Sequence, residues 1–347
     1  SCGGKAIIMS HLGRPKDGFE EKFSLKHIVN QLSKLIDRAV VFSSDCIGEN
    51  TTADISKMEN GDVLVLENLR FYKEEKLGCL KFAKQLAELA DIYINDAFGT
   101  SHRKHASTYS VAKYFKKKCV GKLIEKELYN INKILKSKSK PFTAILGGKK
   151  ISDKINIIKK LIKTVDHIII GGAMSNTFVK ALGGNIGSSL YENNKIDTVI
   201  ILLKEAKKYN VKIHLPEDCI IANKIKLGCK TEVSYSNNIK KGMMNLDIGP
   251  KSINAFKDII EKSRKILWNG PMGVFEINEF SNGTNKIAKS VSNTTKKGAF
   301  SLVGGGDSVA AINKNNLSKN ISFISTGGGS LLYYISNGFL PALKILN

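Results

Sequence analysis

Arginine is scarce in this chain. Of 54 Lys and Arg residues only five, at positions 14, 38, 70, 103 and 264, are arginines, so 54 − 5 = 49 are lysines. Six cysteines (2, 46, 79, 119, 219, 229) are scattered with no CxxC pair, which argues against a disulfide framework or a thiolate metal site and for reduced thiols in the cytoplasm. No apolar run approaches the ~18–20 residues needed to span a bilayer, and the start lacks the charged-then-apolar layout of a signal peptide. There is one Trp and no basic ribbon interleaved with aromatics on which single-stranded nucleic acid would stack. The phosphate-binding signature GxxxxGK[ST] is absent, and "GGGDSV" (304–309) does not complete GxGxxG because Val309 stands where the third glycine belongs.

What is present is a globular composition: 347 residues, 42% hydrophobic and 24% charged, enough for two domains of ordinary size. The net charge of +23 alone would suggest nucleic acid. It is spread along the chain in an Ile-, Asn- and Lys-rich background, however, so no specific nucleic-acid partner is expected. "KYFKKK" (113–118) and "KSKSK" (136–140) read as a solvated face and a loop.

Short β-rich runs ending in Gly, Asp, Asn or Ser alternate with helical periodicity. Strands are expected at 5–10, 39–44, 62–68 and 91–96, then at 141–148, 167–172, 211–216, 265–270, 299–306 and 322–329. Ser24 is placed to cap a helix carrying Leu25, Ile28, Leu32 and Leu35 at spacings of 3, 4 and 3. The pattern predicts an α/β protein of two doubly wound parallel-sheet (Rossmann-like) domains. The boundaries expected are 1–119, with 336–347 packing back on it, a connecting helix over 120–136 bearing Leu123, Ile124, Leu128, Ile131 and Leu135, and 137–335.

In parallel sheets ligands bind at the carboxyl ends of the strands. The second half is glycine-rich at these exits: "LGGKKISDK" (146–154), "GGAMSNTF" (171–178), "WNGPMGVFE" (268–276), "GGGDSVA" (304–310) and "TGGGSLL" (326–332). Glycine admits a phosphate close to the backbone, and a following helix N-terminus offers free N–H groups. Lys150 and Lys154, at i and i+4, are expected to begin one helix face towards the phosphates. Asp307 reads either as a helix N-cap or as a carboxylate for Mg²⁺ bridging phosphate oxygens. The first half differs. "SHLGRP" (10–15), "LENLRF" (66–71) and "NDAFGTSHR" (95–103) bring His11, Arg14, Arg70, His102 and Arg103 to one sheet edge. Arginine presents a planar fork that grips carboxylate or phosphate bidentately, unlike lysine, so a small acidic substrate is indicated. The competing role for these arginines is an ion pair, Arg70 with Glu67 or Arg103 with Asp96.

These segments, with "LGGKKISDKI", "LDIGPKSI", "WNGPMGVFE", "GGGDS" and "STGGG", resemble the motifs of the phosphoglycerate kinases in family order, from about residue 5 to the C-terminus. The resemblance implies phosphoryl transfer between 1,3-bisphosphoglycerate and MgADP, giving 3-phosphoglycerate and MgATP, in a cytoplasmic monomer whose domains close by hinge bending. It implies that His11, Leu12, Gly13, Arg14, Arg70 and Arg103 bind the acid. Lys150 and Lys154 would contact the nucleotide phosphates and the moving group. Gly148, Gly171, Gly172, Leu246, Pro271, Gly273 and Val274 would line the adenosine pocket, with Asn269 near the phosphates and Glu276 at the ribose. Gly304, Gly305, Gly306 and Ser308 would sit beside Asp307, the residue facing the metal, and Gly327, Gly328 and Gly329 would offer N–H groups to the phosphoryl. Lys154, Arg14 and Gly328 are the residues implied in catalysis.

The resemblance also has departures. The family's opening strand, its Asp-x-Asn-x-Pro motif and a following arginine are not present, so about fifty residues, with a central strand of the first domain, are expected to be absent and activity impaired. Ser308 replaces Thr, and Lys149 and Asn245 stand where Ala and Gly are common. A noncatalytic nucleotide-binding remnant, a dinucleotide-dependent oxidoreductase and a basic nucleic-acid binder are the alternative readings.

Overall fold

A computed structural model describes residues 3–16 and 18–346. Cys2 and the last residue of the expected C-terminal segment lie outside the described residues. The chain falls into two compact units: unit 1 comprises 1–125 with 339–347, and unit 2 comprises 126–338.

Unit 1 contains β1 (Ala6–Ile8), α1 (Lys26–Ile36), β2 (Val40–Phe42), α2 (Glu49–Ser56), β3 (Val63–Val65), α3 (Lys73–Leu77), α4 (Leu80–Ala87), β4 (Ile92–Asn95) and β5 (Lys117–Val120). Its strands pair in parallel in two groups, β1-β3-β2 and β4-β5. Leu64, Leu66, Phe82, Tyr93 and Val111 form the core, against which Ile7, Met9, Ile345 and Leu346 also pack. The Ala342 N–H donates to Ser101 O at 3.1 Å, tying the C-terminal segment to this unit.

Two readings from the sequence are corrected here. Residues 117–118, read as solvated lysines, open strand β5; period-2 alternation was hidden because lysines occupy both faces. The stripe on α1 is not a core face: α1 buries none of its residues, and Leu35 is 76% exposed, although Leu25 before it is buried. Periodicity marks an amphipathic stripe without saying whether another element covers it. Ser24 does act near this helix, its Oγ accepting from Lys26 N at 3.2 Å.

Helix α5 (Lys122–Lys136) carries the chain from one unit into the other. Its buried positions are Ile124, Glu127, Ile131 and Ile134, a stripe displaced from the expected one, with Leu123 left 38% exposed.

Unit 2 continues with β6 (Phe142–Leu146), α6 (Ile155–Leu161), β7 (His167–Ile170), α7 (Met174–Ala181), β8 (Asn185–Ile186), α8 (Ile196–Lys208) and β9 (Lys212–His214). There follow β10 (Asp218–Ala222), β11 (Glu232–Tyr235), β12 (Asn238–Ile239), β13 (Met244–Ile248), α9 (Pro250–Glu261), β14 (Lys265–Asn269) and α10 (Asn282–Lys296). Last come β15 (Phe300–Val303), α11 (Gly306–Lys314), β16 (Phe323–Ile324) and α12 (Gly328–Asn337). Beyond them α13 (Pro341–Lys344) returns to unit 1. The frame of unit 2 is a parallel sheet of order β16-β15-β14-β6-β7-β9. Its central strands β6 and β14 are buried along their whole length, as expected where helices cover both faces. An antiparallel sheet β11-β10-β13 and the pair β12-β8 are additions that the βα alternation did not anticipate.

Candidate active site

Each unit carries a cluster of the residues singled out by the sequence. In unit 1 the buried Asn68 staples two of the motifs together. Its Nδ2 donates to Leu12 O and Phe23 O at 2.8 Å each, and its Oδ1 accepts from Arg70 N at 3.0 Å. Arg70 Nη1 then donates to Gly13 O at 2.7 Å. This staple brings His11 and Arg14 beside Arg70. Burial, then the charge of Arg103 and to a smaller extent that of Arg14, lowers the pKa of the Arg70 guanidinium despite the opposing carboxylate of Glu75.

The ion pairs considered for Arg70 and Arg103 do not form, because both carboxylates are bound to other groups. Glu67 accepts from Leu25 N, Asn68 N and Ser24 Oγ. Asp96 accepts from Leu123 N and Ile124 N at the start of α5. Arg70 Nε is buried without a hydrogen-bond partner, and a buried unsatisfied donor of this kind calls for a ligand or other explanation.

Imidazoles complete the cluster. Arg103 Nε donates to His102 Nε2 at 3.2 Å, which requires His102 to be neutral on that nitrogen. His105 and Glu75, which the sequence did not single out, lie with Nδ1 3.7 Å from Oε1, while Glu75 is held by Ser107 N and Oγ. Burial, then Arg70, His105 and Arg103, brings the His11 pKa down to about 4. Burial, then Arg103 and Arg70, does the same for His105. Three guanidiniums thus stand in this patch beside the buried carboxylate of Glu75.

In unit 2 the exits of β6, β7, β14, β15 and β16 lie along one edge of the sheet. Loop meets loop through the backbone. Gly147 N donates to Asn269 O at 3.0 Å, Gly148 N to Pro271 O at 3.1 Å, Gly172 N to Met272 O at 2.9 Å and Val274 N to Leu246 O at 2.8 Å. Gly148, Gly171, Gly172, Pro271, Gly273, Val274 and Leu246 thus gather around one ribbon, with Glu276 exposed further along it. Leu246 precedes Asp247, whose carboxylate binds Ile248 N and Gly283 N while burial pushes its pKa up to about 7.

Asn269 is the junction. Its Nδ2 donates to Gly304 O at 2.7 Å, and its Oδ1 accepts from Lys154 Nζ. Lys154 is 9% exposed. Burial brings its pKa down to about 8, opposed by Asp153 and Asp307. Ser308 accepts from Gly270 N at 2.6 Å, so its hydroxyl holds one glycine loop against another. Asp307 is exposed in the first turn of α11. The N-termini of α11 and α12 follow Gly305 and Gly327 directly.

Lys150 is a correction. Helix α6 begins only at Ile155, with Lys154 as its N-cap, so no helix face carries both lysines. The buried Ile151 turns the intervening segment, and Lys150 is exposed near Glu192, which accepts from Ser152 N at 2.9 Å. Asn245, which stands where Gly is common, donates from Nδ2 to Asn176 Oδ1 and from its N–H to Ser189 Oγ.

Glu127 is the principal residue that sequence reasoning missed. It is fully buried on α5, and its Oε1 accepts from Thr326 N at 2.6 Å and Thr326 Oγ1 at 2.8 Å, at the head of the second triple-glycine loop. Its Oε2 has no hydrogen-bond partner. The signal was available: a carboxylate at position 127 falls three residues after Ile124 and four before Ile131, within the apolar stripe.

Comparison with known proteins follows the same lines. A sequence model of the family described as phosphoglycerate kinase matches residues 1–337. The chain is 46% identical over 345 residues to the phosphoglycerate kinase of Chlorobium phaeobacteroides, spanning 99% of this chain and 87% of the relative. Against that of Dictyoglomus turgidum it is 45% identical over 344 residues, 99% of this chain and 86% of the relative. The solved phosphoglycerate kinase of Coxiella burnetii superposes with a TM-score of 0.85 at 38% identity, covering 99% of this chain and 86% of that one. The Pyrococcus horikoshii structure gives 0.83 at 30% identity with the same coverages. These matches support the family, and the chain spans 86–87% of the length of these relatives. The strand exits, the buried lysine and the arginine cluster thus belong to a phosphotransferase: the chain is a member of the phosphoglycerate kinase family.

Proposed function

We propose that this kinase transfers a phosphoryl group between 1,3-bisphosphoglycerate and MgADP, with the acid held by unit 1 and the nucleotide by unit 2. A terminal oxygen of the ADP β-phosphate forms the new P–O bond as the acyl-phosphate P–O bond breaks, and the carboxylate of 3-phosphoglycerate leaves. No proton moves. The protein's task is to position the two groups in line and offset the charge on three equatorial oxygens.

The observation that carries this reading is Lys154. It is a buried ammonium fixed by Asn269 at the edge where both triple-glycine loops open, and beside it stand the N–H groups at the starts of α11 and α12. Such a group binds phosphoryl oxygens strongly because little water competes for it. Arg14, Arg70 and Arg103 hold the carboxylate and phosphate of the acid, with His11 and the Leu12–Gly13 backbone at its side. Leu246, Val274, Gly171 and Gly172 flank the adenine, and Glu276 takes the ribose hydroxyls. Gly327–Gly329 face the group in transit.

Mg²⁺ suits this donor set. Among the described residues no cluster of three or more ligating side chains forms a cage, and Mg²⁺ in kinases is held by one or two carboxylates plus substrate phosphates. Asp307, exposed at the loop mouth and near enough to act on Lys154, is the residue that holds it. When bound, the ion neutralises nucleotide phosphate charge. Likeness to the family supports work in the cytoplasm, as a monomer.

Two calorimetric titrations test the reading, one with MgADP and one with 3-phosphoglycerate. Asp307→Asn is expected to weaken only the first, and Arg70→Lys, which loses the planar fork, only the second, by about tenfold or more. A folded wild-type chain that bound neither ligand would overturn it.

A further inference from the structure

Strands β7 and β9 carry a pair of histidines that phosphoryl transfer does not use. Strand β9 ends the six-stranded sheet and pairs in parallel with β7 in the register His167↔Lys212, Ile168↔Ile213 and Ile169↔His214. Side chains alternate between faces along a strand, so His167 and Ile169 share a face, and His214, opposite Ile169, shares it with them. The imidazoles accordingly meet diagonally across the strand pair. Nδ1 of His167 lies 3.0 Å from Nε2 of His214, with ring centroids 5.2 Å apart and planes inclined by 41°.

Contact at that distance requires at least one of the facing nitrogens to be unprotonated, since two N–H groups would repel. Both rings are only partly buried and reachable from the sheet edge. The adjacent carboxylate, Asp166, does not bind either ring; it accepts from Lys140 Nζ and Phe142 N at 2.9 and 2.8 Å.

We propose that His167 Nδ1 and His214 Nε2 form a binding site for a single divalent transition-metal ion, with water completing its coordination. Imidazole–metal bonds of about 2.0–2.1 Å to nitrogens 3.0 Å apart subtend roughly 90–97°. That angle matches neighbouring ligands in the tetragonal geometry of Cu(II) and Ni(II), metals that favour imidazole, better than the wider tetrahedral angle of Zn(II). The facing nitrogen that donates this hydrogen bond must pass its proton to the other nitrogen of its ring for both lone pairs to be available to the ion. Among the described residues no third His, Cys, Asp or Glu joins them, so the site is open and exchangeable and not a closed structural cage. Lys212 beside the pair opposes a cation and Asp166 favours one, which also points to modest affinity. A bound ion would bridge the last two strands of the sheet, one of which leads from His167 to the Gly171–Gly172 turn.

The test uses Ni²⁺ alone, titrated calorimetrically into the full chain and into His167→Asn and His214→Asn, with thermal unfolding to verify that each variant is folded. One equivalent present in the wild type is expected to be lost in both variants. Paramagnetic broadening by Cu²⁺ provides a second reading on the wild type, and it should centre on the amides of 167–170 and 212–214. The proposal fails if the wild type binds no Ni²⁺, if the variants retain every equivalent, or if broadening centres elsewhere, such as on His102 and His105.

Discussion

Gly328 and Gly305 touch through their backbones: a Cβ added to Gly328 would lie 2.6 Å from Gly305 Cα and 2.8 Å from Gly305 N. Gly305 itself has φ of +99°, a conformation that side chains disfavour. Neither atom met by that Cβ is the movable end of a side chain, so the two triple-glycine loops must separate if Gly328 gains one. Gly328→Ala is therefore expected to lower kcat about 100-fold, since displacements of ~1 Å have that effect, with circular dichroism unchanged. Wild-type turnover in this variant would show that the loops need not meet.

Lys154 gives a pH signature. Its pKa in the folded chain, about 8, lies below the ordinary 10.5. Between these values the unfolded chain binds the extra proton, so this residue makes stability rise with pH over that window. Phosphate binding has the opposite sense, because the ammonium is lost as pH rises past about 8. MgADP affinity should thus fall above pH 8 in the wild type and be flatter in Lys154→Met, as read by titration at pH 7 and 9.

Glu127→Ala removes the acceptor for Thr326 N and Oγ1, freeing the head of the 326–329 loop. We expect kcat to drop by about tenfold or more while KM changes little, because the loop acts on the group in transit. Glu127→Gln keeps one carbonyl acceptor and should restore much of the rate. Equal losses in both variants would mean that charge, and not positioning, matters.

Lys265 is 4% exposed and donates to Ile134 O and Ser137 O at 3.1 and 2.5 Å, at the C-terminal end of α5. Lys265→Met leaves those carbonyls unsatisfied, at a cost of about 1–3 kcal/mol. The expected readout is a lowered urea midpoint with an unchanged m-value.

Much of this site was legible because its chemistry is local. Glycines 304–306 directly follow β15 and glycines 327–329 come two residues after β16, and a strand exit fixes on which sheet edge a loop emerges. The arginines stood out because lysine fills nearly every other cationic position. What could not be read was set by distant partners. Glu67 and Asp96 offered plausible ion pairs in sequence, yet they bind backbone amides brought in by Leu25 and by the start of α5. Lys150 matched a helical spacing, but burial of Ile151 delays the helix. Strands β10, β11 and β13 pair only with one another, antiparallel and outside the βα rhythm, so nothing in the alternation announced them.

Unit 1 is assembled from both ends of the described chain, since residues 339–347 belong with 1–125 and Ile345 and Leu346 pack on its core. During translation, then, the part made first is finished last. Unit 2 has all its residues once Gly338 is added, whereas unit 1 waits for the segment that follows it. A nascent chain that has just received Gly338 has every residue of unit 2, while the core of unit 1 still lacks Ile345 and Leu346. The order of synthesis and the order of maturation run in opposite directions.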